Sequence, residues 1–419
     1  MLASASTPVL PPPSAPLDRL RAGLRERLNH VSSRPCAAGT AGYAYLGAGS
    51  RDTARSSLMM SVTQKSPSRL PALDGLRAIA VATVVLYHAG FSSVPGDLGV
   101  QLFFVLSGFL ITRLLIDEFA STGSVNYWAF VERRAFRILP AYYVFLAGSF
   151  VLDHLLGTSW SRGMTTSALA YLYNYWSAAH DSPHTVLSHT WSLAVEEHFY
   201  VLWPVAFLFL ARRGRRALAG GCAVVVVTVM LWRCFLWWKT ADSALVYNRS
   251  DTRIDSILLG CLLSCLYATA AFPRTLPLWR LAWMPIATGT ALVLVRTSLP
   301  VAFHYSVGFT VEALLCAVII VQMLQLSQTP VWRWIDSPFA RWIGTLSYSI
   351  YLWHQWGVAI GASLLPAPGA RLIAGLLATI GLAASSYYVV ERPALALRAR
   401  RSARRAASAD PEHRSGSSE

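Results

Sequence analysis

Two side chains eleven positions apart carry the first chemical signal in this sequence. Arg77 and His88 lie in the run LPALDGLRAIAVATVVLYHAG. On a helix, eleven residues make three turns plus about 20°, so both fall on one face about 16 Å apart. Histidine is the side chain whose ordinary pKa suits a general base near neutrality; arginine stays protonated and serves as an anion or carbonyl contact. A second polar set is HTWSLAVEEHFY, residues 189–200, where the adjacent Glu196 and Glu197 enter an apolar run about as deep as His88 does. Arg253 and Asp255 open a further apolar run. A charge near the middle of a membrane costs roughly 2.5–3.5 kcal/mol. Bringing His, Glu, Arg and Asp to a similar depth from separate pieces of chain therefore points to a functional cluster. A histidine among carboxylates is the composition of a base held in one tautomer, so Glu196 or Glu197 is expected to orient His88 or to bind acceptor hydroxyls.

The elements that must position these groups are apolar runs of membrane length. They fall at about 76–92, 97–116, 140–157, 192–212, 218–238, 254–270, 280–298, 306–326, 343–365 and 370–390. The expected fold is thus an all-α bundle of about ten transmembrane spans. The piece 165–179 is short and ends in polar aromatics, and is expected to be a helix that does not cross. Arginines group at 133–137, at 212–216 and after 392, and the positive-inside rule then puts both termini in the cytoplasm.

Composition agrees. The chain is 54% hydrophobic and only 14% charged, with a net charge of +15 and a mean hydropathy of +0.43. A quarter of the residues of an ordinary soluble domain are charged. The arginines mark loops and tails, so the basic balance is one of membrane topology and no nucleic acid is expected as a partner. Residues 1–69, rich in Ala, Pro, Ser and Arg, read as a disordered tail, with Met59 and Met60 as alternative starts. Residues 70–393 form the membrane domain, and 394–419 read as a basic, disordered cytoplasmic tail.

Other polar residues have a bland reading beside the functional one. Ser107 and Gly108 permit close helix packing. Glu312 either lines a cavity or pairs with a neighbour such as Arg296. Tyr348 packs, while Tyr351 and His354 line an acceptor or acyl tunnel. Of His180, His184 and His189, only His189 adjoins the Glu motif, and no metal site is expected. Five of the six cysteines lie inside apolar runs and show no ligand spacing.

In order along the chain, the Arg-x10-His pair is joined by GVQLFFVLSGFLIT, ERRAFRILPAYY, HTWSLAVEEHFYVLWP, TRIDSILLG, LSYSIYLWH and ERP. With these motifs, residues 70–393 resemble acyltransferase family 3, a family of integral membrane acyltransferases. The resemblance implies transfer of an acyl group, acetyl foremost, from acyl-CoA to a hydroxyl of a cell-surface carbohydrate or a macrolide-type acceptor. It implies a catalytic set of His88 and Arg77, with Glu196 and Glu197 joining them on the depth argument above. His88 would act as base or as transient acyl carrier. Trp191, His189, Arg253, Asp255, Tyr351 and His354 are the candidate substrate contacts. Arg133, Arg134 and Arg137 are candidates for the phosphates of coenzyme A. Many members have Gln where this chain has His198. Some carry a hydrolase-like domain after the membrane region, which is not found in this sequence, so the acceptors of those members, peptidoglycan and lipopolysaccharide, are expected less than others.

The implied setting is the cytoplasmic (inner) membrane of a bacterium. A proton-coupled transporter or export channel is the rival, since intramembrane His, Glu and Arg also build proton relays.

Overall fold

The computed structural model describes residues 71–157, 160–180, 185–268, 281–365 and 367–409, and these are all helix, turn and loop with no strand among them. The expected tail over 1–69 lies outside the described residues. The helices are α1 (Pro71–His88), α2 (Gly96–Thr122), α3 (Tyr127–Leu155), α4 (Arg162–Leu169), α5 (Tyr173–Ala179), α6 (Thr190–Ala211), α7 (Arg215–Thr240), α8 (Ser243–Asn248), α9 (Ser250–Tyr267), α10 (Met284–Ser298), α11 (Val301–Leu326), α12 (Pro338–Leu364), α13 (Pro368–Ser386) and α14 (Arg392–Ala409). Within α11 the turn His304–Gly308 is π-helical, and a second π segment, Tyr387–Glu391, joins α13 to α14.

Six helical stretches are long and apolar enough to cross a membrane: α2, α3, α6, α7, α11 and the continuous stretch Pro368–Arg405. Four of the ten expected spans do not reach that mark, for visible reasons. Helix α10 has 15 residues. Helix α9 carries Asp251, Arg253 and Asp255 and is buried along most of its length. Helix α1 carries Asp74 and Arg77, and α12 is interrupted by polar residues on a heavily buried path. A helix surrounded by other helices needs no lipid-grade surface.

The piece 165–179 is two short helices rather than one, broken at Tyr171, whose φ is 55°. The arginines 133–137 lie inside α3, which begins at Tyr127 where Asn126 accepts a hydrogen bond from the Ala129 amide. Residues 394–409, expected to be disordered, are helical in α14. Alanine, leucine and arginine are all strong helix formers, which explains why a charged stretch continues the helix.

Contacts fix the helix directions. Helices α1 and α12 run parallel, with Gly344 against Asp74 at one end and His354 against His88 at the other. Helix α6 runs antiparallel to α12, pairing His189 with His354 and Ser192 with Tyr351. It runs parallel to α2, pairing Trp191 with Phe104, Glu196 with Ser107 and Trp203 with Thr112. Helix α9 is parallel to α2 as well, from Arg253 beside Gln101 to Tyr267 beside Phe109.

Backbones touch where glycine permits it. A Cβ on Gly344 would lie 2.0 Å from the Asp74 carbonyl oxygen, and one on Gly108 would lie 1.9 Å from that of Ile257. Gly108 thus does what the sequence reading expects. A Gly344→Val change forces α12 off α1 and is expected to cost about 1–3 kcal/mol. The thermal midpoint in detergent should drop, while Gly381→Val, at a position with open space around it, leaves it unchanged.

Candidate active site

Two polar groups sit at different depths between α1, α2, α6 and α12. The shallower one is built from histidines. His88 Nδ1 donates to the Val84 carbonyl oxygen at 2.9 Å. A carbonyl can only accept, so this bond fixes the proton on Nδ1 and leaves Nε2 with a free lone pair. The His88 ring lies 4.8 Å from that of His354, and His354 lies 4.9 Å from His189. His354 Nδ1 donates to the Tyr351 carbonyl at 2.7 Å, and its Nε2 has no hydrogen-bond partner. The Tyr351 hydroxyl is 2.6 Å from Ser192 Oγ and 3.0 Å from the His189 carbonyl. His88 is exposed, whereas His354 and His189 are buried. Burial first, then the neighbouring His88, lowers the pKa of His189 to about 3, so it is a neutral imidazole near neutral pH.

The deeper group is built around Glu196. Seven residues further along α6 than His189, it lies about 10 Å below that residue along the axis. Ser107 donates to its Oε1 and the Tyr200 hydroxyl to its Oε2, both at 3.0 Å. Arg77, Arg134 and Tyr200 are its electrostatic neighbours. Arg77 and Arg134 each have a buried Nε without a hydrogen-bond partner. A narrow cavity of about 40 Å³ opens on this level, lined by Arg77, Phe103, Phe104, Ser192, Glu196 and Tyr351 among others.

The expectation that Glu196 or Glu197 orients His88 is not met. Glu196 serves the Arg77 level, and Glu197 has Glu196, Arg134 and Tyr348 as electrostatic neighbours. The reason is geometric: His88 lies about 16 Å up α1 from Arg77, so a carboxylate beside Arg77 cannot also hold His88. A backbone carbonyl and His354 do that instead.

The candidate substrate contacts divide. Tyr351, His354 and His189 join His88. Trp191 and Arg253 belong to a neighbouring cluster on the far side of α2. There Arg253 is buried among Phe104, Trp191, Tyr247 and Phe309, with its guanidinium 3.6 Å from the Phe309 ring centre. It donates to Gln101 Oε1 at 2.8 Å. Asp255 is consumed by a buried ion pair with Arg233 at 2.9 Å, both side chains 0% exposed, and it also accepts from Thr310 at 2.6 Å. That is a buried clamp between α7, α9 and α11. Glu312 pairs with His304 at 2.9 Å, while Arg296 pairs with Asp97. The Glu312–Arg296 pairing considered from the sequence does not form.

Of the arginine triplet, Arg133 pairs with Glu118 at 3.0 Å, Arg134 lies over Tyr200 and Phe130, and Arg137 neighbours Arg77. His198 Nδ1 is 2.7 Å from Ser250 Oγ and belongs to neither polar group. His184 lies outside the described residues, and His180 stacks on Trp176. Among the described residues no group of three or more His, Cys, Asp or Glu could hold a metal ion. Sequence reasoning missed Tyr200 and the partnership of Ser107. Tyr200 was legible, being four residues from Glu196 on the same helix face.

A family model described as an acyltransferase domain matches residues 70–390. The chain is 29% identical over 356 residues to the peptidoglycan O-acetyltransferase OatA of Listeria monocytogenes, covering 80% of this chain and 57% of that one. It is 30% identical over 354 residues to YrhL of Bacillus subtilis, whose name as a peptidoglycan O-acetyltransferase is provisional, covering 77% of this chain and 54% of that one. The chain thus spans little more than half the length of these relatives. No solved structure matches it.

Removing one partner of the Arg233–Asp255 pair strands a buried charge, so Asp255→Ala is expected to destabilise by about 3–5 kcal/mol. The double change Arg233→Met with Asp255→Leu should recover most of the thermal midpoint. A substrate-binding Asp255 would instead lower activity with the midpoint intact.

Proposed function

Because this chain belongs to the acyltransferase family whose domain it matches over residues 70–390, we propose that it is a membrane O-acyltransferase moving an acetyl group from acyl-CoA to a carbohydrate hydroxyl. The observation that carries this is the shared face of Arg77 and His88 on α1, with Arg77 beside Glu196 in a narrow cavity and His88 exposed with its Nε2 lone pair free. His88 Nε2 takes the proton of the acceptor hydroxyl as its oxygen attacks the thioester carbonyl. The C–S bond breaks, and the released thiolate takes up a proton as the ester forms. In the two-step variant His88 carries the acyl group as an acyl-imidazole before the hydroxyl attacks. Arg77, anchored beside Glu196, contacts the thioester oxygen or a phosphate, and Arg134 and Arg137 extend that positive end towards the donor.

The parallel run of α1 and α12, with α2, α6 and α9 opposed to them, is what first and ninth against second, fourth and sixth crossings would give. It supports ten spans with both termini cytoplasmic, in a bacterial inner membrane. His88 then opens to the outer side, where a glycan acceptor resides, and Arg77 faces the cytoplasm, where coenzyme A is made. Tyr351, His354 and His189 shape the acceptor end. The names of the relatives bring peptidoglycan-type glycans back among the acceptors, ahead of macrolides. Membership of this family leaves the transporter alternative without support.

The test is thiol release from acetyl-CoA by purified protein with a panel of oligosaccharides and glycosylated macrolides. Acceptor-stimulated release should fall by about 10²–10⁴ in His88→Ala. Equal release by both proteins would defeat the proposal.

A further inference from the structure

Glu196 is held from two sides by hydroxyl groups to which the reaction above gives no part. Tyr200 lies one turn further along α6, and a helical side chain leans back towards the turn before it, so the Tyr200 hydroxyl reaches Glu196. It lies 3.0 Å from Glu196 Oε2 and 3.2 Å from Ser107 Oγ. Ser107 comes from α2 and gives its own proton to Glu196 Oε1 at 3.0 Å. A hydroxyl has one proton to donate and a carboxylate is the stronger acceptor, so the Tyr200 proton goes to Oε2. Each oxygen of Glu196 is thus capped by a hydroxyl. Ser107 and Tyr200 are themselves buried. Trp191 against Phe104 on one side of this level, and Trp203 donating to Thr112 at 3.0 Å on the other, fix α6 against α2.

Two cations flank this triangle without closing on it. An arginine beside a carboxylate, shielded from water, ordinarily forms a short and often two-pronged pair. Arg77 and Arg134 are electrostatic neighbours of Glu196, yet neither takes part in an ion pair among the described residues. Arg134 instead lies over the rings of Tyr200 and Phe130, 5.7 and 5.8 Å from their centres. Arg77 lines the same small cavity as Glu196. Both arginines keep a buried Nε without a hydrogen-bond partner. Tyr200 therefore has two separable parts: its ring carries Arg134, and its hydroxyl holds the carboxylate. A glutamate released by the hydroxyls would offer its lone pairs to the nearest guanidinium, and that pair would consume donors a ligand needs.

We propose that Ser107 and Tyr200 are positioning residues that hold Glu196 off Arg77 and Arg134, so that its charge offsets the two cations while their donors stay open to the carbonyl or phosphate of the acyl donor. The proposal rests on the acyl-CoA reading above and adds what keeps the arginines available.

The experiment is a double-mutant cycle on the full chain in detergent, read as kcat/KM for acetyl-CoA with whichever acceptor of the panel above stimulates release most. In the native background Tyr200→Phe, which keeps the ring, should lower kcat/KM about tenfold. In a Glu196→Gln background, where no charge is left to capture an arginine, the same change should cost less than about twofold. Ser107→Ala should follow the same pattern. A structure of the Tyr200→Phe variant should show Glu196 paired with Arg77 or Arg134. An equal loss from Tyr200→Phe in both backgrounds overturns the proposal, because the hydroxyl then acts on substrate or fold and not through Glu196. The absence of any loss in the native background overturns it as well, and in both cases the transfer reaction itself stands. If the wild type turns over no acetyl-CoA with any acceptor, the reaction assigned above fails. In that event, or if Glu196→Gln is too slow to measure, the variant structure decides: a closed pair sustains the positioning role, and a carboxylate still apart from both arginines ends it.

Discussion

The approach of α1 to α12 at Gly344 and Asp74 is the contact on which the rest of the site depends. The backbones touch there with no side chain between them. The two helices run parallel from that point, so they stay close upward. Ten residues later on α12 and fourteen later on α1, His354 meets His88. A wider spacing would separate the two imidazoles and open the cavity beside Ser347 and Tyr348. Interiors are close-packed and transmit such displacements rather than absorbing them. The chemistry is thus positioned by a residue that has none.

Two clusters of buried charge flank α2, and they are satisfied to different degrees. Arg233 makes four hydrogen bonds, to Asp255, Thr310 and the carbonyls of Thr252 and Ser306. An arginine spent in this way stabilises the packing of three helices and has at most one of its five donors left over. Arg77 and Arg134 are the opposite case. Each retains a buried Nε with no partner, beside a carboxylate already held by Ser107 and Tyr200. Unsatisfied donors in a low-dielectric cavity are costly, and a bound anion or carbonyl would relieve that cost.

Much of this was legible in the sequence. The all-helical class, the apolar runs and the pairing of Arg77 with His88 on one face follow from period and hydropathy alone. The recruitment of His354, His189 and Tyr351 was also within reach of motif reading. What could not be read was which helices touch. Glu196 and His88 appear equally deep when depth is counted from the ends of their own runs. The true levels depend on where α6 begins relative to α1, and that is set by the Ser192–Tyr351 contact. The fate of Asp255 was hidden because its partner Arg233 lies in another apolar run, where it reads as a flanking charge. The helical state of 394–409 was missed because high charge was weighed above helix propensity.

The small size of the cavity beside Arg77 has a consequence for a cell that houses it. Val100, Phe103, Phe104 and Leu193 wall a cavity of only about 40 Å³ beside Arg77 and Glu196. Moving one charge across a membrane held at 100 mV dissipates about 2.3 kcal/mol. An open file of water here would short-circuit the energised membrane with every such crossing. At about 40 Å³ the cavity holds roughly three waters at most, too few for a continuous file that would carry ions.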